Sequence, residues 1–212
     1  MGTPEFAVPS LQILLDNTRI EVVGVVTQPD KPAGRSGQLQ PSSVKQLALS
    51  RQIHVWTPEK VKHNSELIEQ IKIAQPDAIV VVAYGKILPQ EILDIPKYGI
   101  VNVHGSLLPK YRGASPITAS ILNGDTATGI TLMKMVLAMD AGPIIAKSEP
   151  VTIASNDTTA TLAQKLSTIG AQLLNTDLLL YLDSQITPTP QDDNQVTFVS
   201  IIKKEDGILS LI

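Results

Sequence analysis

The chain has 212 residues, 43% of them apolar and 17% charged, enough to bury a core and too apolar for a disordered segment. Aromatics make up only 3%, so the core must be built from Val, Ile, Leu and Ala, which suits a parallel sheet covered on both faces. Cysteine is absent, which excludes disulfides, thiolate zinc sites and cysteine nucleophiles; His54, His63 and His104 are scattered, so no metal site is expected. A net charge of −3 argues against wholesale coating by nucleic acid and leaves room for a local basic patch. No apolar run reaches the roughly 18 residues of a membrane span, and the first residues lack a basic start, so a cytoplasmic protein without membrane contact is expected.

Gly2-Thr3-Pro4 reads as a turn, followed by an apolar helix through Val8, Leu11, Leu14 and Leu15. Ile20 to Val26 is a β-branched strand, closed by the turn cluster Gln28-Pro29-Asp30. A Pro/Gly-rich loop leads to Ser42, a cap for the next helix. Ile53 to Trp56 reads as a short strand, and Pro58 is expected to open a helix running to about Ala74. Asp77 to Ala83 holds a continuous apolar run, as expected of a strand covered on both sides, and Gly99 to Val103 reads as a second buried strand ending at His104.

Ser115-Pro116 starts a helix ending near Gly124, and Ile130 to Val136 and Pro143 to Lys147 are further strands. Leu162, Leu166, Ile169, Leu173 and Tyr181 mark one stripe of a long helix, with Asp157 near its start. The stretch from Asp183 to Asn194, with Pro188 and Pro190, reads as a linker before a short strand, Val196 to Ile201. This alternation predicts an α/β doubly wound, mostly parallel sheet.

Ligands in such sheets bind beyond the carboxyl ends of the strands. Three strand ends carry polar groups: Asn102-Val-His104, Met139-Asp140-Ala-Gly142, and Tyr84-Gly85-Lys-Ile87-Leu88. Asn102 and His104, at i and i+2, share one face. An Asn amide can hold a developing oxyanion, a His can shuttle a proton, and an Asp can orient the imidazole. With no cysteine and no serine in a strained elbow, direct attack by a substrate amine on an acyl donor fits better than covalent catalysis. The same spacing serves a capping pair, and Asp140 also suits a plain turn; His54, His63 and Asp125 read as packing, solvated or turn residues. Spacing alone leaves these readings open.

The run Asn102-Val-His104-Gly-Ser106-Leu107-Leu108-Pro109, then Arg112-Gly113, resembles the signature loop of the formyltransferases that use 10-formyltetrahydrofolate. Gly124-Asp125, Thr128-Gly129 and Met139-Asp140-Ala-Gly142 follow in the family's order. Gly2-Thr-Pro-Glu-Phe6, Thr27-Gln-Pro-Asp-Lys-Pro-Ala-Gly34-Arg35, the Pro188 to Asp192 stretch and Lys204-Glu-Asp-Gly207 are similar to the methionyl-tRNA formyltransferases in particular. The resemblance implies a Rossmann-like formyltransferase fold, with a catalytic domain over 1–182. It also implies a linker with the start of a tRNA-binding β-barrel domain over 183–212. Asn102, His104 and Asp140 are the implied catalytic residues. Tyr84, Gly85, Ile87, Leu88, Ser106, Leu107, Leu108, Pro109 and Gly142 are the implied holders of the folate donor. Lys31, Arg35 and Lys45 are the implied contacts of initiator methionyl-tRNA, and the protein is expected to be a monomer.

Three departures accompany the resemblance. The family carries a hydrophobic strand before the Gly-Thr-Pro turn; without it, unpaired backbone edges are expected inside the sheet. The family's second domain is expected to be missing, and Ser36, Gly37 and Gln38 stand where the family places further basic residues, which should weaken tRNA binding. Lys97, Lys110 and Arg112 add to the remaining basic charge. The alternatives are a UDP-amino-sugar N-formyltransferase and a fragment that binds folate without turnover.

Overall fold

Side-chain alternation along the strands sets the architecture. In the computed structural model, which describes residues 1–33, 37–202 and 206, neighbours such as Val25 and Val26, Val82 and Val81, and Val101 and Ile100 enter opposite apolar clusters. In chain order the elements are α1 (Val8–Asp16), β1 (Val25–Val26), the hairpin β2 (Lys31–Ala33) and β3 (Gln38–Gln40), α2 (Ser43–Ser50), β4 (Val55–Trp56), α3 (Ser65–Ala74), β5 (Ile79–Val81) and α4 (Gln90–Leu93). They continue with β6 (Ile100–His104), β7 (Arg112–Gly113), α5 (Pro116–Leu122), β8 (Ala127–Thr128), β9 (Thr131–Lys134), β10 (Ile144–Lys147), β11 (Val151–Thr152), α6 (Thr159–Leu182) and β12 (Phe198–Val199). Leu11 of α1, Val44 and Ala48 of α2, and Leu162, Leu166 and Leu174 of α6 cover one face; Leu67 and Ile71 of α3 and Ile92 of α4 cover the other.

β1 pairs parallel with β4, and β5 parallel with β6. Beyond β6 the sheet turns antiparallel, through β9 to β10. The doubly wound α/β expectation therefore holds, with parallel pairing among β1, β4, β5 and β6 and again between β12 and β7.

Between β1 and β5 runs a groove of about 570 Å³, lined by residues including Val22, Gly24, Val26, Trp56, Ala78 and Val80. Met1 and Gly2 enter its end, Gly2 forming an isolated parallel bridge with Val82: Gly2 N–H donates to the Val26 carbonyl (3.0 Å), Val82 N–H donates to the Met1 carbonyl (2.9 Å), and the Met1 ammonium donates to the Val80 carbonyl. Strand pairing covers only Val25–Val26 of the predicted Ile20–Val26. A strand with a partner on one side alone loses half its ladder.

Two helices differ from expectation. α3 begins at Ser65 instead of Pro58, because Asn64 caps it by accepting from Leu67 N–H (3.0 Å) and His63 adopts φ +60°. On α6 the buried row is Leu162, Leu166, Gly170, Leu174 and Leu178, with Ile169 and Leu173 only partly buried. Gly170 decides this: a Cβ there would lie 2.9 Å from Val103, so α6 is pressed flat on the sheet.

Candidate active site

β6 carries Asn102 and His104 on the face opposite Val101 and Val103, since alternate residues of a strand point alike. Across the sheet Asn102 stands beside Val81 and Met133, and His104 beside Thr131. The Asn102 amide is half-buried and makes no hydrogen bond to the described residues. His104 is buried, with its Nε2 2.9 Å from the Tyr111 carbonyl and its Nδ1 3.7 Å from Asp140 Oδ2. The structure thus brings His104 and Asp140 together, with Asn102 on the same face of β6 as His104.

The tautomer follows from chemistry. A carbonyl only accepts, so Nε2 carries the proton, and in the neutral ring Nδ1 presents its lone pair. Burial lowers the His104 pKa below the ordinary imidazole value, against the raising pull of Asp140 and of the Tyr111 carbonyl. The 3.7 Å separation is too long for a hydrogen bond, so Asp140 acts on the ring as a charge. The group that orients the ring in this structure is the Tyr111 carbonyl.

Backbone groups complete the site. Asp140 has φ +48°, a conformation Asp tolerates, and its Oδ2 accepts from Gly113 N–H at 2.8 Å. Tyr111 has φ +64°, unusual for a bulky residue and a sign of local strain held by its surroundings. It is held by its hydroxyl donating to Asp125 and by its N–H donating to Thr197 Oγ1. Thr131, fully buried, donates to the Ser106 carbonyl and accepts from Leu108 N–H, pinning the loop after β6. The segment read as a linker lies across this loop: Thr189 pairs with Ile144, Gln191 bonds the Asp140 turn, and β12 pairs parallel with β7. Tyr111, Thr131 and Gln191 were missed in sequence reasoning.

The expected donor-holding residues fall into three groups. Tyr84, Leu88 and Leu108 have their side chains in the core, and the Tyr84 hydroxyl, pushed up to about 12 by burial, has no partner among the described residues. Gly85 and Ile87 are exposed (Ile87 by 88%), as is Met139 beside Asp140, so apolar surface is uncovered on both loops. Ser106 donates to the Lys110 carbonyl, Leu107 packs at Gly129, the Pro109 carbonyl accepts from Thr197 N–H, and Gly142 lies against the Lys134 carbonyl. Besides the groove, a cavity of about 380 Å³ between Gln90, Leu93 and Val136 lies beside Gly99, at the start of β6, away from His104.

Of the expected tRNA contacts, Lys31 is exposed on β2, Lys45 is tied to Asp30 at 2.8 Å, and Arg35 lies outside the described residues. Lys110 and Arg112 are likewise paired, with Asp125 and Asp193. Among the described residues no group of three or more His, Cys, Asp or Glu side chains could hold a metal, and no helix is long and apolar enough to cross a membrane.

The family model for formyl transferases matches residues 1–178. The chain belongs to the formyl transferase family. It is 50% identical over 205 residues to a methionyl-tRNA formyltransferase of Trichodesmium erythraeum, covering 97% of this chain and 61% of that protein. With the enzyme of the same name from Trichlorobacter lovleyi it shares 49% over 209 residues, covering 99% of this chain and 65% of the relative. This formyl transferase chain thus spans about three fifths of the length of the curated relatives it matches. Among solved structures it is similar to the phosphoribosylglycinamide formyltransferase of Bacillus halodurans, with TM-score 0.70 and 27% identity over 84% of this chain and 92% of that one. WlaRD, a sugar 3N-formyl transferase solved with dTDP and 5-N-formyl-THF, shares the fold at TM-score 0.72 and 23% identity, over 97% of this chain and 68% of that one.

Proposed function

We propose that the chain moves a formyl group from 10-formyltetrahydrofolate to the α-amine of initiator methionyl-tRNA in the cytoplasm, working as a monomer. The observation that carries this reading is the 50% and 49% identity to proteins named methionyl-tRNA formyltransferase, against 23% to the sugar enzyme. The exposed apolar side chains Ile87 and Met139 and the unengaged Asn102 amide fit a flat aromatic donor whose formyl oxygen needs a hydrogen-bond donor. Lys31 on β2, Lys45 on α2 and Arg35 are the proposed tRNA contacts.

The donor supplies an activated formyl carbon; the protein supplies orientation and a proton path. Asn102 donates to the formyl oxygen as it gains negative charge. Neutral His104 accepts at Nδ1 the proton lost by the attacking amine as the new C–N bond forms. Asp140, 3.7 Å away, stabilises the resulting imidazolium, and the Tyr111 carbonyl keeps the ring aligned throughout. Nδ1 then returns the proton to the folate nitrogen as the old C–N bond breaks, leaving N-formylated methionyl-tRNA and tetrahydrofolate. His104 begins and ends the cycle neutral.

The test is formyl transfer from 10-formyltetrahydrofolate to charged initiator tRNA, with UDP-amino sugar as the rival acceptor. His104→Ala is expected to lose on the order of a hundred- to a thousandfold in transfer while donor binding survives. Transfer to the sugar alone would replace the acceptor assignment, and equal turnover by the variant would remove His104 from the chemistry.

A further inference from the structure

The stretch between α6 and β12 makes one contact set that a tether would not need. Gln191 Nε2 donates to two carbonyls, those of Asp140 (2.7 Å) and Gly142 (2.8 Å), while its Oε1 accepts from Arg112 Nε (3.0 Å). The amide has one orientation available: the carbonyls can only accept and the guanidinium can only donate, so a flipped amide would lose all three bonds. Both hydrogens of Nε2 are used. The residue therefore joins two short segments, the turn that carries Asp140 and the stretch 111–113. That second stretch supplies both the carbonyl on His104 Nε2 and the N–H on Asp140 Oδ2. Arg112 is itself buried and also meets Asp193, so its half of the bridge is anchored.

We infer that Gln191 is a positioning residue, setting the Asp140 turn against the 111–113 segment and so fixing the separation of Asp140 from the His104 ring. Its amide is the one side chain among the described residues that bonds both peptide carbonyls flanking Ala141. Packing alone does not hold this turn, because Ala138 and Met139 before it are exposed. The activity readout of this inference rests on the formyl-transfer reading; its spectroscopic readout rests on geometry alone.

The experiment compares the full chain with Gln191→Met, which keeps length but removes the amide, and Gln191→Asn, which keeps the amide but cannot span the gap. Gln195→Ala is the control, since that side chain bonds only the neighbouring Asp192. Two quantities are read: steady-state transfer, and the imidazole titration of His104 by NMR. Asp140 is the ionised group facing the ring, and Arg112 is the cation on the loop that bears Tyr111. A loosened Asp140 pulls less on the ring proton, so both variants are expected to lower the His104 midpoint by about half a unit, Asn less than Met. They are also expected to lower kcat by about tenfold or more, with KM for donor and acceptor held within about twofold. A purely structural role would lower the melting temperature and leave both readouts where they were, and that result overturns the inference. Should Gln191→Met fail to fold, Gln191→Asn decides by the same two readouts. Should the wild type show no transfer, the formyl-transfer reading fails by itself, and the His104 midpoint still decides the role of Gln191.

Discussion

Gly142→Ala tests how firmly the Asp140 turn is held. A Cβ built at this position lies 1.7 Å from the Lys134 carbonyl oxygen and 3.3 Å from Met133 Cε. The first neighbour is backbone within β9, so it cannot rotate away. Reaching the 3.0 Å below which real Cβ contacts essentially do not occur requires the turn or the strand to shift by about 1.3 Å. The stability cost expected of such overpacking is roughly 1–3 kcal/mol. For a chain of this length each kcal/mol is worth about 2–4 °C in melting temperature. Catalysis should suffer more, because a misplacement of roughly 1 Å costs on the order of a hundredfold when reacting groups must be aligned. The assay pairs a far-UV thermal melt with single-turnover formyl transfer at saturating donor. Gly124→Asn serves as control, since a Cβ at Gly124 meets nothing within 4 Å and Asn tolerates its φ of +67°. A Gly142→Ala chain melting within a degree of the wild type and turning over at the same rate would refute the reasoning. The turn would then be compliant, and the position of Asp140 would not be set by it.

Further expectations rest on the buried His104 ring and on the groove between β1 and β5. His104 is buried neutral with a lowered pKa, so the unfolded chain binds the proton first as pH falls, and stability contributed by this ring is lost on acidification. The rate should fall as pH drops through a midpoint below the ordinary imidazole value, and Asp140→Asn should move that limb to still lower pH, read from a pH profile of kcat. At the groove, five or six apolar β-branched residues joined ahead of Met1 should raise the melting temperature. The Met1 ammonium, lowered to about 5 by burial, would become a peptide N–H facing the same Val80 carbonyl. The gain expected, each buried aliphatic side chain contributing roughly 1.5–3 kcal/mol less its ordering entropy, is on the order of 5 °C or more. An unchanged melt, with no added hydrogen-exchange protection at Val22 and Gly24, would show that the groove does not take a strand.

Legibility in the sequence followed the kind of signal each residue carries. Ile79–Val81 was readable because a strand covered on both faces is continuously apolar, and Ile100–His104 and Thr131–Lys134 because short apolar stretches stand between turn residues. The approach of His104 and Asp140 could be anticipated because both are side chains with specific chemistry at strand ends. The Tyr111 carbonyl and the Gly113 N–H could not be, because every residue has those groups and only a left-handed turn aims them. Gln191 sits 51 residues from Asp140 and gives no local cue, while Pro188 and Pro190 nearby read as a tether. The start of α3 was misplaced because Pro58 is as good a first-turn residue as any, and the competing cap at Asn64 is a hydrogen bond, not a pattern.

The docking of α1 on α6 has a consequence for synthesis on the ribosome. Leu11 shares its cluster with Leu174 and Leu178, and the two helices are joined by Asn17 donating to Asn175 across 158 residues of sequence. At a translation speed of roughly 5–20 residues per second, the first helix emerges about 8 to 30 s before its partner exists. During that interval α1 can cover Val44 and Ala48 of α2, but the side that meets α6 has no native partner. α1 therefore completes its packing only once α6 is made, and until then its α6-facing side is a surface open to a nascent-chain chaperone.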